Sequence, residues 1–281
     1  MPDRADAHIH LFENGYWASF ASRPGVTIDE VACYESLMAN HDVKAALIVG
    51  QTGYEMVRKN TEFLKRVGPD LDWAYPAAHL ADSAAADTDW LKSLRDHGFI
   101  GVSMYNFDEA STAQVLAVSD EAWQWIAEHK WLISVNSEGE NWRAWAKVLD
   151  RHTELRVIIS HCGLPPAQAQ APSENVVCKA LDTVLDLAKY PQTRVKLSGF
   201  YAMTDPGYDY PHEAAWPYVQ QLKQTFGVPR LLWASDFSPH LDLVSFSQTY
   251  GLFAKMPFLS DDDCTAIEGV NLLALLREAR G

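Results

Sequence analysis

No apolar run in the chain approaches the ~18 residues that a membrane-spanning helix requires, so no such helix is expected. Cysteine is scarce. Cys33, Cys162, Cys178 and Cys264 are scattered without a CxxC pair, which excludes a zinc knuckle and a disulfide framework. They read as reduced, buried thiols of a cytoplasmic protein. Cations are short too: 23 Lys and Arg against 37 Asp and Glu leave a formal charge of −14. That field repels nucleic-acid backbones and anionic membranes, so neither is expected as a partner. The opening MPDRADAHIHLF has no secretory pattern. A GxGxxG turn after the first apolar stretch, the mark of a dinucleotide-binding sheet, is missing; His8-Ile9-His10-Leu11-Phe12 stands there instead. Gly101-Val-Ser103-Met-Tyr105 comes nearest to a GxSxG elbow but lacks the second glycine. Ser103 is therefore expected to be an ordinary strand residue.

What is present is a globular composition, 48% hydrophobic and 21% charged over 281 residues. Eight β-branched or aliphatic runs recur: 5–11, 43–50, 72–80, 99–106, 131–138, 156–163, 193–200 and 230–238. Between them apolar residues follow i, i+3, i+4 spacing, as in Val31, Tyr34, Leu37 and Met38, which predicts helices. Thr27-x-x-Glu30 reads as a capping box opening the first of these. Asp261 to Asp263 start the last helix and Arg277 and Arg280 end it, as the helix dipole prefers. Eight strand–helix units of roughly 35 residues predict one α/β domain over 1–281, a single (β/α)8 TIM barrel.

The ten histidines divide by position. His41, His97, His129 and His152 each end a predicted helix, where a histidine satisfies exposed carbonyls; that end of a barrel serves stability. His8, His10, His79 and His161 sit instead toward the ends of strands, with Asp236 in the equivalent place on strand eight. Strand alternation gives Asp6, His8 and His10 one face and Ala7 and Ile9 the other. By the same alternation His161 shares a face with Val157 and Ile159, and Asp236 shares one with Leu232 and Ala234. The titratable set is thereby expected to converge at the end of a barrel where chemistry is found. His212 and His240 lie on loops at that end as candidate substrate contacts.

Four segments resemble the amidohydrolase superfamily, in particular its branch of TIM-barrel lactonases. They are Asp6-Ala-His8-Ile-His10, Ile159-Ser-His161-Cys-Gly163-Leu-Pro165, Val195-Lys196-Leu-Ser198-Gly199 and Leu232-Trp-Ala-Ser235-Asp236-Phe-Ser-Pro239. The closing Ile267-Glu-Gly269-Val-Asn271 is similar to the family's terminal helix. Metal-dependent members present a Lys or His ligand from strand five. Here that strand carries Asn136, so a bridged binuclear centre is not expected. The resemblance leaves either one divalent ion, zinc first, on His8, His10 and Asp236 with His161 nearby, or no metal.

In either case Asp236 is expected to act as general base toward water, with His8, His10 and His161 polarising a carbonyl. The loops after strands three, four, seven and eight contain no Lys or Arg and many aromatics. A dicarboxylate would call for an arginine fork, so a neutral, hydroxylated sugar lactone is favoured. Trp17, His79, Tyr105, Asn136 and Lys196 are the candidate substrate contacts, Lys196 if its register turns it inward. The alternatives are metal-dependent nonoxidative decarboxylation, lactone isomerisation, and a barrel that binds its ligand without turning it over. An aromatic rim is also compatible with a homo-oligomer.

Overall fold

The computed structural model describes residues 3–280. Eight parallel strands run in sequence order: β1 Arg4–Ile9, β2 Val43–Val49, β3 Ala74–His79, β4 Gly101–Asn106, β5 Leu132–Ser137, β6 Arg156–Ile159, β7 Arg194–Leu197 and β8 Leu231–Trp233. The sheet closes on itself through the chain beyond β8. The Asp236 N–H donates to the His8 carbonyl at 2.9 Å, and Ile9 forms a bridge with Phe237. This is the expected (β/α)8 barrel. Its longer helices are α1 Glu30–His41, α2 Asn60–Val67, α3 Thr88–Asp96, α4 Glu109–Ala117, α5 Asp120–Glu128, α6 Arg143–Arg151, α7 Glu174–Leu185, α8 Trp216–Phe226 and α9 Asn271–Arg280.

Strand residues alternate between two cores. Val157, Ile159, Val195, Leu197, Leu231 and Trp233 pack outward under the helices. Leu132, Ile158, Leu232 and Ala234 fill the interior with Ala5, Ala7, Leu47 and Val49. Each burial of a large aliphatic side chain contributes about 1.5–3 kcal/mol, so this division holds the register of every strand.

The segment 267–271 binds the last helix to the barrel. Glu268 pairs with Arg4 at 2.7 Å, and the Asn271 amide donates to the carbonyls of Val228 and Leu231. Gly269 is required by contact: a Cβ there would lie 2.0 Å from the Asp3 carbonyl oxygen. Ser260 caps this last helical stretch in a capping box with Asp263, in keeping with acid at its start. The first helix starts differently from the sequence reading. Its N-cap is Asp29, whose carboxylate accepts the Ala32 N–H, and Glu30 is buried and turned inward rather than closing a box with Thr27. Of the cysteines only Cys162 is buried; Cys33, Cys178 and Cys264 sit on half-covered helix faces, and all four are free. No helix among the described residues is long and apolar enough to cross a membrane.

Candidate active site

His8 and His10 reach the interior through an irregularity. Between Asp6 and Ile9, β1 carries one residue more than β2, because Asp6 pairs with Ala46 and Ile9 with Ile48. Such a bulge breaks simple alternation. Asp6 consequently faces the helix layer, where Tyr34 of α1 donates to it at 3.0 Å, while Ala7 joins the interior core. This corrects the expected grouping of Asp6 with the two histidines. Asp6 is structural: it accepts the backbone N–H groups of His8 and Ser235 and so ties β1 to the chain beyond β8. Burial raises its carboxyl to about 6 against those hydrogen bonds.

His161 and Asp236 are turned by the backbone, not by strand pleat. Val157 and Ile159 face the helices, so a continued strand would send His161 outward with them. β6 ends at Ile159, however, and His161 takes φ +52°, the first of four successive left-handed residues through Leu164. Asp236 takes φ +60° beyond β8. A left-handed conformation in a non-glycine residue costs about 1–3 kcal/mol and recurs at functional sites. Gly199 makes room for the result, since a Cβ there would stand 2.8 Å from the His161 Cβ and 2.9 Å from its ring.

The outcome is a compact buried cluster. His8 Nε2 lies 3.1 Å from His10 Nε2, and these atoms are 3.7 and 3.6 Å from Asp236 Oδ1. The His161 ring centre lies 4.8 Å from that of His8, and its Nδ1 is 3.0 Å from Ser198 Oγ. Beneath them Lys196, fully buried, donates to Ser134 Oγ at 2.6 Å and meets His8 Nδ1 at 3.2 Å. Its register does turn inward.

The electrostatics follow from burial. His10 and His161 are pushed down to about 4 and about 3, first by desolvation and then by the Lys196 charge, and His8 lies well below its usual range for the same reasons. All three are neutral imidazoles near pH 7. Desolvation lifts Asp236 to about 7, against the pull of the Tyr201 hydroxyl that donates to it and of Lys196. Lys196 itself is lowered to about 7 by burial, against the attraction of Asp236 and Asp6.

His79 accepts the Thr52 N–H on Nδ1 at 2.8 Å, which leaves its proton on Nε2, and its ring meets Tyr105 edge-on at 5.0 Å. Tyr105 and Asn136 are paired neighbours on β4 and β5, and the Tyr105 hydroxyl and Asn136 Oδ1 are buried without a protein partner. Trp17 lies on the outer rim: its indole N–H donates to Asp242, and Arg23 stands over its ring at 4.6 Å. His212 is engaged with Thr204 at 2.8 Å, and His240 is fully buried beside Phe237 and Phe246. Neither joins the cluster. Ser103 is a buried strand residue donating to the Gly50 carbonyl, as its motif suggested.

Two participants carried weak sequence signals. Tyr201 was one aromatic among many until the fold brought its hydroxyl to Asp236. Glu30 looked like a helix cap, yet it accepts the N–H groups of Phe12 and Tyr16 at 2.7 Å and the Ser238 hydroxyl at 2.5 Å. It thereby joins the loop after β1 to the loop after β8.

His8, His161 and Asp236 can each bring one donor atom within 4.8 Å of the others, a group of the kind that can hold a metal ion. Zinc with bonds of about 2.0–2.1 Å spaces tetrahedral donors roughly 3.3 Å apart, so the separations among His8, His10 and Asp236 also suit it. The proton positions do not. His10 Nδ1 faces the Val49 carbonyl at 2.7 Å and must carry its proton there, leaving a lone pair on Nε2. That lone pair accepts from His8 Nε2, 3.1 Å away, so the proton of neutral His8 sits on Nε2, where a metal would need a lone pair, and His8 Nδ1 accepts from Lys196. With its proton so placed, His8 turns an N–H, and no lone pair, toward the centre of the group.

The model of the amidohydrolase family matches residues 5–277. An L-fucono-1,5-lactonase of Burkholderia ambifaria is 25% identical over 251 residues, covering 84% of this chain and 81% of that protein. Among solved structures, a Burkholderia multivorans amidohydrolase with bound zinc superposes with TM-score 0.76 at 18% identity, over 98% of this chain and 99% of that one. An Acinetobacter baumannii protein named as a probable 2-pyrone-4,6-dicarboxylic acid hydrolase gives TM-score 0.72 at 17% identity, again over 98% and 99%. With its strand-end histidines and aspartate in one cluster and the family model spanning nearly its whole length, this chain belongs to the amidohydrolase family.

Proposed function

We propose that the protein hydrolyses a small, neutral, hydroxylated lactone, with Asp236 as general base. The observation that carries this reading is the Asp236 carboxylate, buried against His8 and His10 at 3.7 and 3.6 Å and raised to about 7. A base poised near the working pH combines an available carboxylate with a useful drive to take a proton. Asp236 removes a proton from water as the water oxygen bonds to the lactone carbonyl carbon. The tetrahedral adduct then collapses, the ring C–O bond breaks, and the leaving alkoxide takes the proton back from Asp236. The product is the open hydroxy acid. Neutral His8 and His161, with the Lys196 amine behind them, stabilise the negative oxygen of the adduct in a site of low dielectric. The Tyr201 hydroxyl orients the carboxylate.

Substrate class follows from the polar atoms left over. The buried Tyr105 hydroxyl and Asn136 Oδ1 lack protein partners, and buried polar groups are nearly always satisfied. With the Nε2–H of His79 they match sugar hydroxyls, and the lactonase relative supports the same class. Lys196, held by Ser134 and His8, is not free to anchor a substrate carboxylate, which weighs against both a dicarboxylate lactone and decarboxylation. The test is proton release from a panel of aldono-1,4- and 1,5-lactones, L-fuconolactone included, beside a pyrone dicarboxylate and hydroxybenzoates. Hydrolysis of sugar lactones alone supports the reading. Silence on every lactone, or preference for the dicarboxylate, overturns it.

A further inference from the structure

We infer that Lys196 is a positioning residue that holds His8 in its Nε2–H form and thereby keeps a divalent metal out of this HxH–aspartate site. Lys196 is a fully buried residue of β7 whose side chain crosses the barrel interior to β1 and β5. The Ser134 hydroxyl at 2.6 Å anchors its amine, which leaves an N–H for His8 Nδ1 at 3.2 Å. Ser160 Oγ, at 3.4 Å, faces the same nitrogen. A neutral imidazole has one proton, so engaging Nδ1 as acceptor sends that proton to Nε2.

The next link agrees. His10 donates from Nδ1 to the Val49 carbonyl, so its Nε2 is an acceptor, and His8 Nε2 lies 3.1 Å away. Lys196, His8, His10 and Val49 thus form one directional chain in which each donor finds an acceptor. In metal sites the arrangement is the reverse: the partner behind a ligating histidine accepts from its far N–H and frees the near lone pair for the ion. An amine in that place points the hydrogen bond the wrong way. The same chain leaves Asp236 without a metal–ligand role, so its carboxylate faces the water it is to deprotonate.

The test reads protons and metal directly and needs no substrate, so failure of the lactone panel and failure of this inference are separate results. Long-range 1H–15N spectra of histidine-labelled wild-type protein should show His8 protonated on Nε2 and His10 on Nδ1. Equilibrium dialysis against zinc chloride should show weak binding to wild type. Lys196→Met should move the His8 proton toward Nδ1 and raise zinc affinity roughly 10–100-fold, the size of effect that partners behind a metal ligand commonly exert. Lys196→Gln, which keeps an N–H donor, should stay nearer wild type in tautomer. A wild-type His8 protonated on Nδ1 overturns the inference without recourse to any variant. So does equal zinc affinity in wild type and a folded Lys196→Met protein.

Discussion

The two ends of the barrel use the same residue type for opposite purposes. At the end where helices finish, His97 and His129 donate from Nδ1 to carbonyls of their own helices, Ser93 and Trp125, at 2.8 Å each. His152 pairs with Asp120, and His41 meets the Tyr250 hydroxyl. Each is satisfied at that end of the barrel, by its own helix or by an element packed beside it. At the other end, His8 and His10 from β1 and His161 from the end of β6 face one another and Asp236 across the interior. Cations divide likewise: Arg4 and Arg156 start their strands and pair with Glu268 and Glu278, whereas Lys196 stands under the histidine cluster. A histidine whose ring is taken up by a carbonyl, hydroxyl or carboxylate at the helix ends is structural, and one that faces other titratable groups across the interior is available for chemistry.

The sharpest way to break this contrast is Asp236→Asn, which keeps the shape and removes the base. We expect kcat to fall by roughly 10²–10⁴-fold with the fold retained, read from lactone turnover and circular dichroism. Full activity would end the mechanism. Next comes Tyr201→Phe. A general base works deprotonated, so kcat/KM should rise through about pH 7 and level off above it. The Tyr201 hydrogen bond favours the ionised carboxylate, so its loss should move that midpoint upward and cost more activity at pH 6 than at pH 9. An unmoved midpoint would detach Tyr201 from the base.

At the opposite end, Arg4→Ala leaves Glu268 buried and unpaired and should lower stability by about 3 kcal/mol in denaturant unfolding. Its turnover per folded molecule should be unchanged. The smallest effect is expected from His97→Ala, an exposed helix end, with activity equal to wild type. Impaired catalysis in that variant would erase the distinction between the two ends.

Much of this was legible because it is local. Periodicity gave eight strands and their order, helix-end placement identified the stabilising histidines, and motif positions singled out His8, His10, His161 and Asp236. Where alternation was extended past the strands it failed. The bulge between Asp6 and Ile9 exchanged Asp6 for Ala7 on the interior face. The left-handed backbone at His161 turned it away from the face of Val157 and Ile159. Glu30 kept the residue type of a helix cap but met Phe12, Tyr16 and Ser238 instead.

The barrel and the histidines and aspartate at its strand ends are thus properties of the sequence itself, because they depend on repeats and spacings a few residues long. Which side chains face inward, that Tyr201 reaches Asp236, and that Lys196 lies behind His8 were decided only by the closed fold. Those relations join residues up to 188 positions apart, as Lys196 and His8 are. They depend on closure of the barrel and, at His161 and Asp236, on left-handed φ angles that no local pattern encodes.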